Sequence, residues 1–234
     1  MTLVNLAKTD LKVGLRNYTY PIYLLSALAY GMIIRMFPPS YHATTAPLFL
    51  FMEPGLVGFM FVGAIIMFEK KDGVVGALSV TTLKWRDYYL AKATIMVILG
   101  LAGAAVILSV GTGFVGNWPY VLLGVALTSI VYTFLGIGIA AKHRNLDDYF
   151  VPMVAIIAIS LLPFAAYHNL LTGSWTKALY VIPSYQSLYL LQTGFKEVAS
   201  DTLIIAIVAL LVWALITYQV AKTRFYKYAV EGTK

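Results

Sequence analysis

The sequence contains no cysteine. That excludes disulfides, thiolate nucleophiles and cysteine-ligated metal, and removes any reading of redox compartment. Charge is scarce too: Asp, Glu, Lys and Arg make up 12% of the 234 residues, about half their usual share in soluble domains. The three histidines, His42, His143 and His168, fall in or beside loops without carboxylates at metal-ligand spacing, so no metal site is expected. Gly-x-x-x-x-Gly-Lys-Ser/Thr, Gly-x-Ser-x-Gly and His-Glu-x-x-His are all missing, so neither nucleotide binding of the usual kind nor hydrolysis in the membrane is expected.

What remains is apolar: 60% of the residues, with a mean hydropathy of +0.81. This predicts one transmembrane domain over 1–234, with no stretch polar enough for a separate soluble domain. Strand-like alternation is absent, so the spans are expected to be helical. Six are expected, at about 20–37, 47–68, 89–113, 120–141, 149–167 and 202–221, each near the roughly 20 residues that cross a bilayer. Residues 2–19 precede them as an amphipathic interfacial helix with Leu3, Ala7, Leu11, Leu15 and Tyr18 on one stripe. No small-residue cleavage site follows the first apolar run, which predicts no cleaved leader. An inverted repeat is not evident. The long connection 168–201 carries Leu188, Leu191 and Phe195 on one helical face, predicting a short re-entrant or interfacial helix. The glycines of Leu135–Lys142 are read as small residues that let helices approach closely.

The net charge of +7 could suggest nucleic acid, but its placement points to a membrane. Of the 17 Lys and Arg, only Arg35, Lys177 and Lys196 fall on one side of this topology. The others, including Lys142, Arg144, Lys222, Arg224, Lys227 and Lys234, fall on the other side. The positive-inside rule then makes both termini, 69–88 and 142–148 cytoplasmic, in a plasma-membrane protein whose excess charge also meets anionic lipid.

Two polar features carry the functional reading. Glu53, in FLFMEPGLVGF, is an acid inside an apolar run, followed by Pro54 and Gly55, which predict a broken or kinked helix. It is either a polar point on a substrate path, with Phe59 and Met60 beside it, or a structural group paired with Arg35 or capping the helix that begins at Pro54. The second feature is 68–92, FEKKDGVVGALSVTTLKWRDYYLAK, the densest patch of charge. Asp72 is placed to cap a short helix and Asp87 to cap the next span, as Asp147 and Asp148 are for the fifth. Val74, Val75 and Leu78 fall on one face of that short helix. The loop is either a positive-inside anchor or a platform for something in the water.

The order of residues in this loop resembles the first cytoplasmic loop of ABC type-2 exporter permeases, although Thr82 stands where that family usually has proline. The whole chain is most similar to the small six-span permeases of the drug or fluoroquinolone export type. That resemblance implies an all-α transmembrane fold of the ABC type-2 exporter kind, with 2–19 as its elbow helix. It implies a coupling loop at 69–88 that holds a coupling helix at Asp72–Val80, with Glu69, Lys71, Asp72, Gly73, Val75, Leu78 and Thr81 meeting an ATP-binding subunit. Further implications are two copies of that subunit carrying ATP and Mg, and a homodimer or heterodimer of permeases with the path lined by the second and fifth spans. The expected cargo is a hydrophobic or amphipathic small molecule, moved outward by a chain that is not itself an enzyme and binds no cofactor. The alternatives are an ATP-independent channel or substrate-capture protein, and a non-transporting membrane scaffold or enzyme.

Overall fold

The computed structural model describes residues 3–113, 117–143, 145–168, 170–171 and 173–230, and contains no strand among them. Arg144 and Lys234, counted above with the basic residues, lie outside this set. Helix α1 (Leu3–Arg16) leads through a tight turn, with Tyr18 at a positive φ of 58°, into α2 (Thr19–Met36). Helices α3 (His42–Phe51) and α4 (Gly58–Lys71) are joined without interruption by a π-helical turn, Met52–Val57. The short α5 (Val74–Ser79) precedes α6 (Trp85–Ile107), which ends in a second π turn, Leu108–Thr112. Helices α7 (Trp118–Ala140), α8 (Leu146–Tyr167), α9 (Pro183–Gln192) and α10 (Ser200–Phe225) complete the fold.

Among the described residues, five helical stretches are long and apolar enough to cross a membrane: 39–71, 85–112, 118–140, 146–167 and 200–228. The sixth expected span, α2, is a helix of 18 residues that falls short of that measure, because Tyr20, Tyr23, Tyr30 and Arg35 interrupt it. The protein is an all-α polytopic membrane protein.

Helix α7 is the hub. It packs on α4, α6, α9 and α10, and 72% of its apolar window is buried, against 17% for α10. Its glycines make this possible: a Cβ on Gly136 would stand 2.6 Å from Val62, and one on Gly138 would touch the Ala221 backbone at 3.4 Å. Helix α9 is not laid on the surface but wedged among α3, α7, α8 and α10, burying Ser184, Ser187 and Gln192 with its leucines. Ser187 hydrogen-bonds Thr128 of α7 at 2.7 Å, so part of that polar surface is satisfied inside the bundle.

The interfacial helix α1 differs from expectation in its packing face. Leu6, at 6% exposure, and the half-buried Asp10 turn toward the bundle, while Leu11, Leu15 and Tyr18 of the apolar stripe are exposed. A helix lying in an interface has two apolar environments to satisfy, protein below and lipid beside it.

Candidate functional site

Two clusters stand out, one at the end of the bundle that carries the charged loop, the other inside it. In the first, α4 runs out at Lys71 and Asp72. Gly73 then takes a left-handed conformation at φ 73°, which glycine adopts without strain, and starts α5 one residue later than expected. Asp72 therefore closes α4 and does not cap α5. Neither Asp87 nor the pair Asp147 and Asp148 caps by side chain; they sit in the first turns of α6 and α8, where negative charge suits the helix dipole. The turn after α5 is closed by Thr81, whose hydroxyl donates to the Leu78 carbonyl at 2.7 Å and accepts from the Leu83 N–H at 3.3 Å. A proline at Thr82 is not needed for that.

The loop is fastened to the bundle by buried charge. Lys92 of α6 is 2% exposed, and its ammonium lies 2.9 Å from Asp10 of α1 and against Glu69 of α4. Tyr88 donates its hydroxyl to the same Glu69 carboxylate. Three elements far apart in sequence thus meet on one cation. Burial pushes the Asp10 carboxyl above its usual range; Lys92 pulls it back without cancelling the rise, and Glu69 adds to it. Lys70 faces the other way and donates to the carbonyls of Ala140, Ala141 and His143 at 3.4, 2.9 and 2.6 Å, capping the end of α7.

The expected partner-facing residues therefore divide. Val75 is 1% exposed and belongs to the protein's own core, and Leu78 is half-buried against it. Glu69 is turned inward to Lys92 and Tyr88. Lys71, Asp72, Gly73 and Thr81 remain exposed. The apolar side chain standing free is Val80, 87% exposed, with Val74 beside it at 38%. Sequence reading missed Val80 and the inward role of Lys92. A signal for the latter was present: Asp10 is the only acid in the otherwise basic 2–19 segment.

The second cluster surrounds Glu53, which is fully buried in the π turn. The helix is bulged there and not broken: a π turn widens the coil where Pro54 offers no N–H, and such turns recur at functional sites. The Ser26 hydroxyl lies 3.2 and 3.4 Å from the two carboxylate oxygens, and Tyr23 donates to the Glu53 carbonyl at 3.1 Å. On the opposite side α6 presents Gly103, where a Cβ would come within 2.8 Å of the Glu53 Cγ. The expected ion pair with Arg35 is not found among the described residues: Arg35 is exposed, while Glu53 faces Ser26 of the same helix α2. Phe59 does not line a path either, being fully buried against the rings of Tyr132 and Tyr149. Met60, 38% exposed, lines an open groove of about 470 Å³ between α4 and α8.

Residues 1–233 match the fluoroquinolones export permease protein family. Two Mycobacterium tuberculosis proteins, from strains CDC 1551 / Oshkosh and ATCC 25618 / H37Rv, are each called a fluoroquinolones export permease protein. Each is 26% identical to this chain over 232 residues, covering 98% of it and 97% of the relative. With its apolar helices and with a family match that runs from the first residue of α1's segment to the basic tail, this membrane protein belongs to the fluoroquinolones export permease protein family.

Proposed function

We propose that this chain is the transmembrane subunit of an ATP-driven exporter of the ABC type-2 kind. In this reading a separate ATP-binding subunit, in two copies, docks on the loop 69–88 and carries the ATP and Mg. Two permease chains, identical or not, form the path between them. The cargo is a hydrophobic or amphipathic small molecule, of which a fluoroquinolone is one example, and it moves outward. Both termini lie in the cytoplasm, and the chain has no hydrolytic activity and binds no cofactor of its own.

The observation that carries this reading is the mounting of α5. A short helix stands outside the bundle between two long helices, fixed by Val75 and Leu78, while Val80 and Val74 present apolar surface outward. Glu69 and Lys92 tie the flanking helices together. A partner pushing on Val80 therefore moves the ends of α4 and α6 as one piece. A few apolar anchors dominate small protein contacts, which assigns the main docking role to Val80.

The test is whether an ATP-binding cassette protein is encoded beside this chain and co-purifies with it, paired with cargo-stimulated ATP hydrolysis in proteoliposomes. Val80→Asp is expected to insert and fold normally, to lose most co-purification, and to uncouple hydrolysis from transport. Unchanged capture and stimulation by Val80→Asp would place docking elsewhere. Transport by the chain alone, without any ATP-binding subunit, would favour a channel.

A further inference from the structure

Beneath α5 lies a cavity of about 670 Å³, within the roughly 300–1,000 Å³ range of small-ligand sites. Its wall is strongly basic. Lys70 and Lys71 come from the end of α4, Lys142 from the α7–α8 turn and Lys227 from the final π turn, with Asp147 the one acid among its described lining residues. Lys70 is held by the carbonyls at the end of α7. Lys71, Lys142 and Lys227 are exposed, and none of them forms an ion pair among the described residues. Three lysines from three separate elements thus line one space whose described lining offers a single acid, Asp147, while the Lys227 ammonium also stands 5.3 Å from the centre of the Tyr228 ring.

This cavity shares a wall with the apolar groove. Phe68, Leu146 and Asp147 line both it and the 470 Å³ groove between α4 and α8. The groove is apolar, walled by Met60, Phe61, Ala64, Ile65, Phe150 and Met153, and it runs along two membrane-spanning helices. A cationic chamber at the end of the bundle thus lies next to an apolar groove that follows two membrane-spanning helices.

We propose that the cavity and the groove form one site for an anionic phospholipid. Its headgroup phosphate lies among Lys71, Lys142 and Lys227, and an acyl chain lies in the groove along α4 and α8. Charge complementarity selects the headgroup: juxtamembrane lysines attract anionic lipid, and a zwitterionic headgroup leaves them uncompensated. The shared wall favours an amphiphile over free phosphate, since only a molecule with a tail occupies both spaces. Gly73, Val75 and Gly76 line the cavity too, so the bound headgroup buttresses the base of α5. This last point rests on the docking reading above; the lipid site does not.

The test uses the purified full chain in nanodiscs and counts retained lipid by native mass spectrometry, with phosphatidylglycerol against phosphatidylcholine as probes. The parent is expected to retain phosphatidylglycerol preferentially. Replacing Lys71, Lys142 and Lys227 together by Gln is expected to lower that preference by roughly fivefold per lysine. The matching Arg variant should keep it, because guanidinium also binds phosphate. Ala64→Trp, which blocks the groove, is expected to lose phosphatidylglycerol while still binding soluble glycerol phosphate. Equal retention of the two lipids, or a Gln variant that retains phosphatidylglycerol like the parent, would overturn the proposal. So would one-for-one displacement of the lipid by a fluoroquinolone, which would assign the groove to cargo. Because no ATP-binding subunit is present, failure here leaves the docking reading standing, and failure of docking leaves the lipid site standing.

Discussion

Lys92→Met removes the cation at the junction of α1, α4 and α6 while keeping most of the side-chain volume. In the parent that cation is only 3% exposed at its side chain, and its partners Asp10 and Glu69 retain 19% and 18%. Without it two mostly buried carboxylates confront each other, and breaking such a buried arrangement costs about 3–5 kcal/mol. The residual exposure of both acids places the loss at the lower end, about 3 kcal/mol. On the scaling for chains of this size that lowers Tm by about 6–12 °C.

The assay is the temperature at which half the detergent-purified protein leaves its monodisperse peak. A triple variant, Asp10→Asn, Glu69→Gln and Lys92→Met, is expected to recover most of the loss, because replacing all the charges strands none. The pH dependence gives a second check. In the parent, burial already holds the Asp10 carboxyl above its usual range against the pull of Lys92. Removing Lys92 leaves only influences that raise it, so the folded variant binds a proton that the unfolded chain releases. Stability then falls as pH rises through that folded value and recovers below it. The deficit of Lys92→Met should therefore be smaller at about pH 5 than at about pH 7. A variant that melts within about one degree of the parent, or a triple variant no better than the single, would refute this account of the junction.

Glu53→Gln is expected to keep the fold, because an amide can still bond Ser26, and to lower stability by no more than about 1 kcal/mol in the same melting assay. Gly103→Val should cost more, about 1–3 kcal/mol, by driving branched carbon into the Glu53 side chain; a melting temperature unchanged from the parent would show that α6 can retreat. Val75→Asp should disrupt the loop itself by at least about 2 kcal/mol, visible as protease cleavage between α4 and α6, whereas Val80→Asp should not. For topology, Val80→Cys and Asn145→Cys each give a unique exposed thiol in this cysteine-free chain; both are expected to resist an impermeant maleimide in intact cells and to react after lysis.

The long helices were legible because each is a sustained apolar run, and the breaks between them fall where proline, glycine or charge interrupts it. The short α5 was legible as well, from apolar residues at helical spacing after Asp72-Gly73. What its spacing did not reveal is which side of that face turns in. Periodicity groups Val74, Val75 and Leu78, but only packing against the bundle sends Val75 and Leu78 inward and leaves Val80 free. The charged pairs were hidden for a different reason. Lys92 meets an acid 82 positions away in Asp10, and Glu53 meets Ser26 across two helices, and neither contact leaves a local trace. For Glu53 the nearest plausible counter-charge, Arg35, proved a poor guide, since a long flexible cation near a helix end is better solvated outside than buried.

The economy of charge in this chain gives each basic residue near the loop a separate physical role. A buried ammonium has to be compensated, and Lys92 is, by two carboxylates and without any carbonyl. Lys70 is met by the opposite means, the carbonyls at the C-terminal end of α7 and in the turn after it. Both serve to join helices: the first ties α1, α4 and α6, the second ties α4 to α7. Together they fix the end of α4, beside the loop, to α1, α6 and α7. Lys71, Lys142 and Lys227 form no ion pair among the described residues, though Lys227 lies over the Tyr228 ring at 5.3 Å, and all three line one cavity with Asp147. Three such lysines and Lys70 against one acid leave the cavity wall an excess of positive charge that an anion from outside the chain balances, and the apolar groove beside it suits an anion that carries a tail.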